Sequence, residues 1–357
     1  MNTSSRLVPG PFSGRGAGLN PPNRFERLHL SPDPAVPDED RPDPRTEFYF
    51  DASESILSHN DSPDVPFTWG LNPYRGCEHG CAYCFARPFH EYLGFSSGLE
   101  FETRIMVKLR APALLREALL APGWRPECIT FSGATDCYQP AERQFRVTRA
   151  CLAVCAEFRN PVAIVTKSGL VTRDRDLLEK LAAQRAAAVL VSVTTLDSTL
   201  AGRLEPRASR PAHRLRAIRE LAASGIPVGV MVAPIIPGLT DHEMPAILEA
   251  ASAAGATHAG YTLLRLPYAV KDIFLHWLDD HAPGKKARIL DRVRAIRGGR
   301  LNVGEWGRRM HGDGVFAEQI RTLFATAARR AGLRQERIPL ATDQFVRPGG
   351  QLELFQS

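Results

Sequence analysis

Five short apolar runs recur along the chain, each rich in β-branched residues: "ECITFSG" (127–133), "PVAIVTKS" (161–168), "AAVLVSVTT" (187–195), "IPVGVMVAPIIPG" (226–238) and "HAGYTLLRLP" (258–267). Runs this short and continuous read as strands buried on both faces. Between them, segments 141–158, 174–186, 211–224 and 241–254 place apolar residues three and four apart, the period of an amphipathic helix. In "GLTDHE", Thr240 or Asp241 is placed to cap the last of these helices. With a further strand expected at 67–72, six strands alternate with helices, which means parallel βαβ units. No glycine-rich dinucleotide fingerprint is present. The pattern therefore predicts an α/β fold, a partial (β/α)6 TIM-type barrel, with reactive residues at the carboxyl ends of its strands.

The flanks differ in composition. Residues 1–45 hold nine prolines and the acidic stretch "PDEDRPDP", which predicts a disordered or surface-draped arm. Residues 46–66 form a lead-in segment, 67–270 the core barrel, 271–348 a helical C-terminal extension and 349–357 a flexible tail. There is no internal repeat. No apolar run is long enough to span a membrane, and no signal-peptide pattern opens the chain, so a cytoplasmic protein with reduced cysteines is expected. The net charge of +6 suits an acidic partner such as nucleic acid. Arginine outnumbers lysine by 39 to six, however, a skew that codon composition alone can produce.

Charge matters less than "GCEHGCAYCFARP" (76–88), which places Cys77, Cys81 and Cys84 directly after the first expected strand. Clustered thiols in a reducing compartment read as metal ligands. A structural zinc site takes four ligands, and no second C-x2-C pair exists; His79 or His90 would have to complete one. A cubane iron–sulfur cluster also takes four cysteines, so three leave one iron open to another ligand. The plain alternative is three buried cysteines in a turn.

The C-x3-C-x2-C spacing, with the aromatic Tyr83 just before the third cysteine, resembles the signature of the radical S-adenosylmethionine (radical SAM) superfamily. The resemblance implies that Cys77, Cys81 and Cys84 hold one 4Fe–4S cluster whose open iron chelates S-adenosylmethionine. One electron, from a donor such as flavodoxin or ferredoxin, then cleaves the sulfonium to methionine and a 5′-deoxyadenosyl radical that abstracts hydrogen from a substrate. Polar residues at the strand ends become candidates for holding that cofactor. Ser132 and Gly133 would receive its amino group, and Lys167 or Arg207 would pair with its carboxylate. Ser192 and Thr194 would reach the ribose, with Glu205 beside them. "APIIPG" and Tyr83 would pack on adenine. As a surface alternative, Glu205 and Arg207 would form an ion pair.

"NPYRGCEHGCAYCFARP", "SGATDCYQPAE", "TKSGLVTRDRDLL", "LEPRASRPAHRLRAIRELAASGIPVGV" and "APIIPGLTD" together resemble, over roughly 15–350, an uncharacterised bacterial group related to spore photoproduct lyase, a DNA-repair enzyme. That lyase uses a cysteine as hydrogen donor after the second strand. Cys137 is the nearest candidate here, offset by about two residues, with burial as a small core residue as its alternative. Cys128, Cys151 and Cys155 lack auxiliary-cluster spacing, so one cluster is expected. The basic, aromatic-containing stretches 292–300 and 306–310 suit phosphates and a stacked base, or a solvated helix face; "RMHGDG" (309–314) suits a turn over the barrel mouth. At the tail, Gln351, Leu352, Leu354 and Phe355 in "QLELF" resemble the pentapeptide that docks bacterial proteins on the DNA sliding clamp. DNA or another nucleic acid is thus the favoured substrate, for repair or modification. A protein or small metabolite is the enzymatic alternative, and a zinc-stabilised nucleic-acid-binding module the non-catalytic one.

Overall fold

A computed structural model describes residues 14–26 and 45–348. The lead-in supplies β1 (Glu47–Phe50) and β2 (Leu57–His59), and β3 (Trp69–Leu71) follows. After β4 (Tyr74–Arg75), α1 (Leu99–Thr103), β5 (Arg104–Val107) and α2 (Ala111–Leu120), the alternation expected from the sequence begins. It runs β6 (Ile129–Phe131), α3 (Glu142–Phe145), α4 (Val147–Phe158), β7 (Val162–Thr166), α5 (Arg175–Ala183) and β8 (Ala187–Ser192). It continues through α6 (Ser198–Leu204), α7 (Pro211–Ala223), β9 (Val228–Ile235), α8 (Met244–Ala253) and β10 (His258–Leu263). Three helices close the described chain: α9 (Val270–His281), α10 (Pro283–Ala295) and α11 (Gly314–Arg330).

The main sheet has the order β10-β9-β8-β7-β6-β3-β2. Its six parallel strands are the five expected from the apolar runs and the one expected at 67–72, and β2 is an antiparallel edge on β3. Phe131, Ile164, Val189, Val191 and Val230 are fully buried, as strands covered by helices on the outside must be. The segment after α11 returns to the sheet: Ala259 N donates to Arg334 O (2.8 Å) and Arg334 N to Thr257 O (3.0 Å), which covers the free edge of β10. Part of the expected C-terminal extension is thereby built into the core.

Local chemistry departs from the sequence reading at four places. The helix expected at 141–158 breaks at Arg146, which takes a left-handed conformation (φ 53°), because the buried Glu142 carboxylate accepts from Thr148 N (2.9 Å) and caps α4 from outside it. Thr240 does not cap α8: its hydroxyl accepts from Ile236 N (3.0 Å) and closes the preceding turn, while Asp241 pairs with Arg292. A small second sheet, β1-β5-β4, was not legible, since each of its strands is four residues or fewer. Finally, residues 16–19 of the expected arm pack on the core. Ala17 and Leu19 are buried with Leu99 and Ile273, and a Cβ on Gly16 would stand 1.5 Å from the Gly80 carbonyl oxygen. That contact uses backbone and missing side chains, so it leaves no hydrophobic pattern to read. The tail residues Gln351, Leu352, Leu354 and Phe355 lie outside the described residues. Among the described residues, no helix is long and apolar enough to cross a membrane.

Candidate active site

The loop 76–86 leaves the small sheet beside the carboxyl end of β3 and is pinned from several directions. Gly76 (φ 76°) starts it, where a Cβ would lie 2.9 Å from Phe101 O. Cys77 N donates to Phe101 O (2.9 Å), and the Gln139 amide bridges Glu78 N (2.9 Å) and Gly76 O (3.1 Å). Ala82 N donates to Leu204 O (3.0 Å). Behind the loop, Arg87 donates twice to Cys81 O (3.0 and 2.9 Å) and pairs with Glu102 (2.5 Å), both side chains fully buried. Glu102 also accepts from Gly16 N (3.1 Å) and Ala17 N (2.8 Å), so the N-terminal segment is tied to the same hub.

Cys77 and Cys81 are buried and Cys84 half-buried. Burial pushes all three thiols up; at Cys77 the Asp136 carboxylate and the other two sulfurs add to it. A bound metal ion would favour the thiolate form of each.

The candidate alternatives and cofactor residues fall out as follows. His79 is buried against Asp136 (Nδ1 to Oδ2 3.4 Å). Burial would raise the Asp136 carboxyl, but His79, the Lys167 N–H and the Thr166 hydroxyl outweigh it and hold it at about 2. His79 is thus engaged by a carboxylate. His90 packs instead between Phe95 and Phe101 (ring centroids 5.2 and 5.6 Å).

Ser132 takes φ 70°, and its hydroxyl accepts from Cys137 N (2.7 Å), so it shapes the turn after β6, with Gly133 beside Phe67. Cys137 is fully buried in the main core, and burial holds its thiol protonated. Ser192 is buried, and its carbonyl accepts from Arg214 (3.0 Å).

Tyr83, Thr194 and Arg214 all donate to the buried Glu205 carboxylate, at 2.7 Å for Thr194. Burial would push Glu205 up, but Arg214 and Lys167 outweigh it and hold it at about 2. The alternative Glu205–Arg207 surface pair is therefore not formed. Arg207 reaches Glu78 (2.9 Å) from the other side of the loop. The sequence pointed to Arg207 because it is two residues from Glu205, whereas Arg214 is nine away and one helix further on. Lys167, at the end of β7, donates to Ala233 O (3.1 Å) and stands 5.9 Å from the Tyr83 ring. Its charge acts on Cys81, Cys84 and Glu205.

The basic stretches at 292–300 and 306–310 are largely neutralised internally. Arg292 pairs with Asp241, Arg294 with Asp291, Arg308 with Glu305 and Asp313, and Arg309 with Asp64. The 309–314 turn is tied to the carboxyl end of β10, since Leu263 N donates to Met310 O (2.9 Å).

One titration follows from this geometry. Burial lowers His90 from 6.5 to about 4, so between those pH values the unfolded chain takes up a proton that the folded chain refuses. Stability should fall as pH drops through that window, by up to about 3 kcal/mol. Urea midpoints measured in pH steps check this, and His90→Phe should flatten the limb. Identical limbs for variant and parent would assign the loss to other groups.

A six-stranded parallel α/β scaffold carrying three clustered thiols, two buried and one half-buried, on the loop after its first parallel strand is the class of a cluster-dependent enzyme. Residues 71–251 match the Radical SAM superfamily, and the chain belongs to that superfamily. Its cofactors are accordingly a 4Fe–4S cluster and S-adenosylmethionine. The zinc-stabilised module is set aside with that membership. The donor set is of the kind a cubane takes: three cysteine thiols on one short loop, each for a separate iron.

Relatives include an uncharacterised protein of Mycobacterium tuberculosis, 38% identical over 232 residues, 64% of this chain and 68% of that one. Another, from Methanocaldococcus jannaschii, is 30% identical over 48% of this chain and 62% of its own length. Among solved structures, spore photoproduct lyase complexed with dinucleoside spore photoproduct superimposes with a TM-score of 0.58 over 81% of both chains at 13% identity, which is a likeness of fold.

Proposed function

We propose that this radical SAM enzyme binds its cluster through Cys77, Cys81 and Cys84 and acts on nucleic acid, in repair or modification. The observation that carries the cluster assignment is the thiol loop itself, fixed at every turn by buried partners and facing the ends of the parallel strands. When bound, the cluster with S-adenosylmethionine supplies a 5′-deoxyadenosyl radical, given one electron by a flavodoxin- or ferredoxin-type donor.

The protein's own residues do the rest. Lys167 offers a cation beside Cys81 and Cys84 where a cofactor carboxylate can pair. Arg214 neutralises Glu205, which in turn orients Tyr83 and Thr194, so these three position the loop from beneath. Ile236, Leu264 and Leu266, just past the ends of β9 and β10, cluster with Cys81 and Tyr83 and exclude water.

Three features support a nucleic-acid substrate: the net charge of +6, the lyase of similar fold that takes a dinucleoside ligand, and aromatic side chains left exposed beside the loop. The QLELF tail belongs to the same reading as a clamp-docking segment, on its sequence alone.

The test is anaerobic. Reduced protein is incubated with S-adenosylmethionine and either single-stranded DNA, duplex DNA, RNA or a peptide pool, and 5′-deoxyadenosine is followed by mass spectrometry. Nucleic acid should raise its yield above the substrate-free rate, with a mass change in the oligonucleotide. Stimulation by the peptide pool alone would replace this reading with protein modification.

A further inference from the structure

Arg265 lies two residues beyond the end of β10, on the rim where the strand ends meet the thiol loop. It is half-buried, its Nε has no hydrogen-bond partner, and its Nη1 reaches only the Met310 sulfur (3.6 Å), a weak acceptor. Arg297 and Arg309 stand close enough to act on its charge. Arg297 donates through its two Nη atoms to the carbonyls of Arg308 and Leu264 (both 2.8 Å), its Nε being unpartnered like that of Arg265, and Arg309 takes Asp64 (2.5 Å). Of the three guanidinium groups, Asp64 thus bonds to Arg309 alone; Arg297 is held by carbonyls, and Arg265 has only the sulfur. A partly desolvated cation among like charges is costly unless an anion completes it.

The second observation is Phe85, which directly follows Cys84. Its ring lies 5.2 Å from the Arg265 guanidinium carbon, and it is 40% exposed although its chain neighbours are buried or half-buried. Exposed aromatic faces beside arginine are what nucleobases stack on, and the planar guanidinium fork matches phosphate. Lys167, by contrast, donates to Ala233 O (3.1 Å) and stands 5.9 Å from the Tyr83 ring, among the strand ends. The two cations therefore serve different positions, Lys167 inside the site and Arg265 at its mouth.

We propose that Arg265 and Phe85 form a nucleotide subsite at the mouth of the barrel, the phosphate on the Arg265 fork and the base against the Phe85 ring. The subsite rests on the nucleic-acid reading above and narrows it to a strand whose base is free to leave its stack.

Fluorescence anisotropy with a labelled single-stranded oligodeoxynucleotide, titrated into the full anaerobic protein at several salt concentrations, tests it. Arg265→Met should weaken binding about tenfold or more and lower the slope of log affinity against log salt by about one. Phe85→Leu should weaken binding by a similar factor and leave that slope unchanged. Iron per chain certifies that the loop is intact. Where Arg265→Met loses iron, Arg265→Lys is read instead, and should lose affinity while keeping the parent's salt slope.

Variants with native iron and the parent's affinity would overturn the subsite alone. A parent that binds no oligonucleotide would overturn the nucleic-acid reading with it. An Arg265→Met protein that loses S-adenosylmethionine binding in equilibrium dialysis, with oligonucleotide affinity intact, would assign the guanidinium to the cofactor and overturn the proposal.

Discussion

Cys81→Ala should yield a folded protein that retains little iron and forms no 5′-deoxyadenosine on reduction. The backbone at this position does not depend on its side chain, because Arg87 holds the Cys81 carbonyl with two hydrogen bonds of 3.0 and 2.9 Å. Removing the sulfur leaves the apolar neighbours Ala82, Tyr83, Ile236 and Leu264 packed around a space smaller than a methionine or leucine deletion would leave. The apo forms of variant and parent should therefore differ by no more than about 1 kcal/mol in urea unfolding. Chemistry is another matter, since the variant would offer a cubane only two of its three thiolates. Iron and sulfide per chain, with product by mass spectrometry, separate the two effects. Undiminished product from Cys81→Ala would remove this thiol from the site.

Glu102→Ala should have the largest effect on the fold. Its carboxylate is the sole counter-charge of Arg87 among the described ion pairs, with both side chains at 0% exposure. It also anchors the backbone of Gly16 and Ala17, eighty-odd residues away. Leaving a buried guanidinium unpaired costs about 3–5 kcal/mol. Against a total stability of about 5–15 kcal/mol, that is a large share.

The variant should melt roughly 5 °C lower. It should also be cut rapidly by trypsin at Arg15 or Arg24, and lose iron as the Arg87 bonds to Cys81 loosen. Glu102→Gln, which keeps an acceptor and loses the charge, should fall between. Parent-like melting and trypsin resistance in Glu102→Ala would show that the N-terminal segment docks without this hub.

Much of this architecture was open to reading along the chain. Strands β6 to β10 announce themselves as short β-branched runs, and the C-x3-C-x2-C spacing is fixed covalently, so neither needs tertiary information. The small sheet was missed because "EFYF" and "RIMV" are too short to show a period, and their pairing spans fifty-seven residues, from Glu47 to Arg104. The docked segment around Gly16 was missed for the opposite reason: proline and glycine are the composition of a loose arm, and here glycine is what permits close approach.

The candidate site divides along the same line. Local spacing alone placed the three thiols on one loop and put Lys167 and Thr194 at strand ends. The partners of the charges were decided only by the folded chain. Glu205 chose Arg214 over Arg207, Arg207 chose Glu78, Asp136 took His79, and Arg265 reached only the Met310 sulfur. A period of two or of 3.6 residues follows from backbone geometry and is written into every few residues. An ion pair depends on distance and on the dielectric around it, and both exist only once segments far apart in sequence have been brought together and buried.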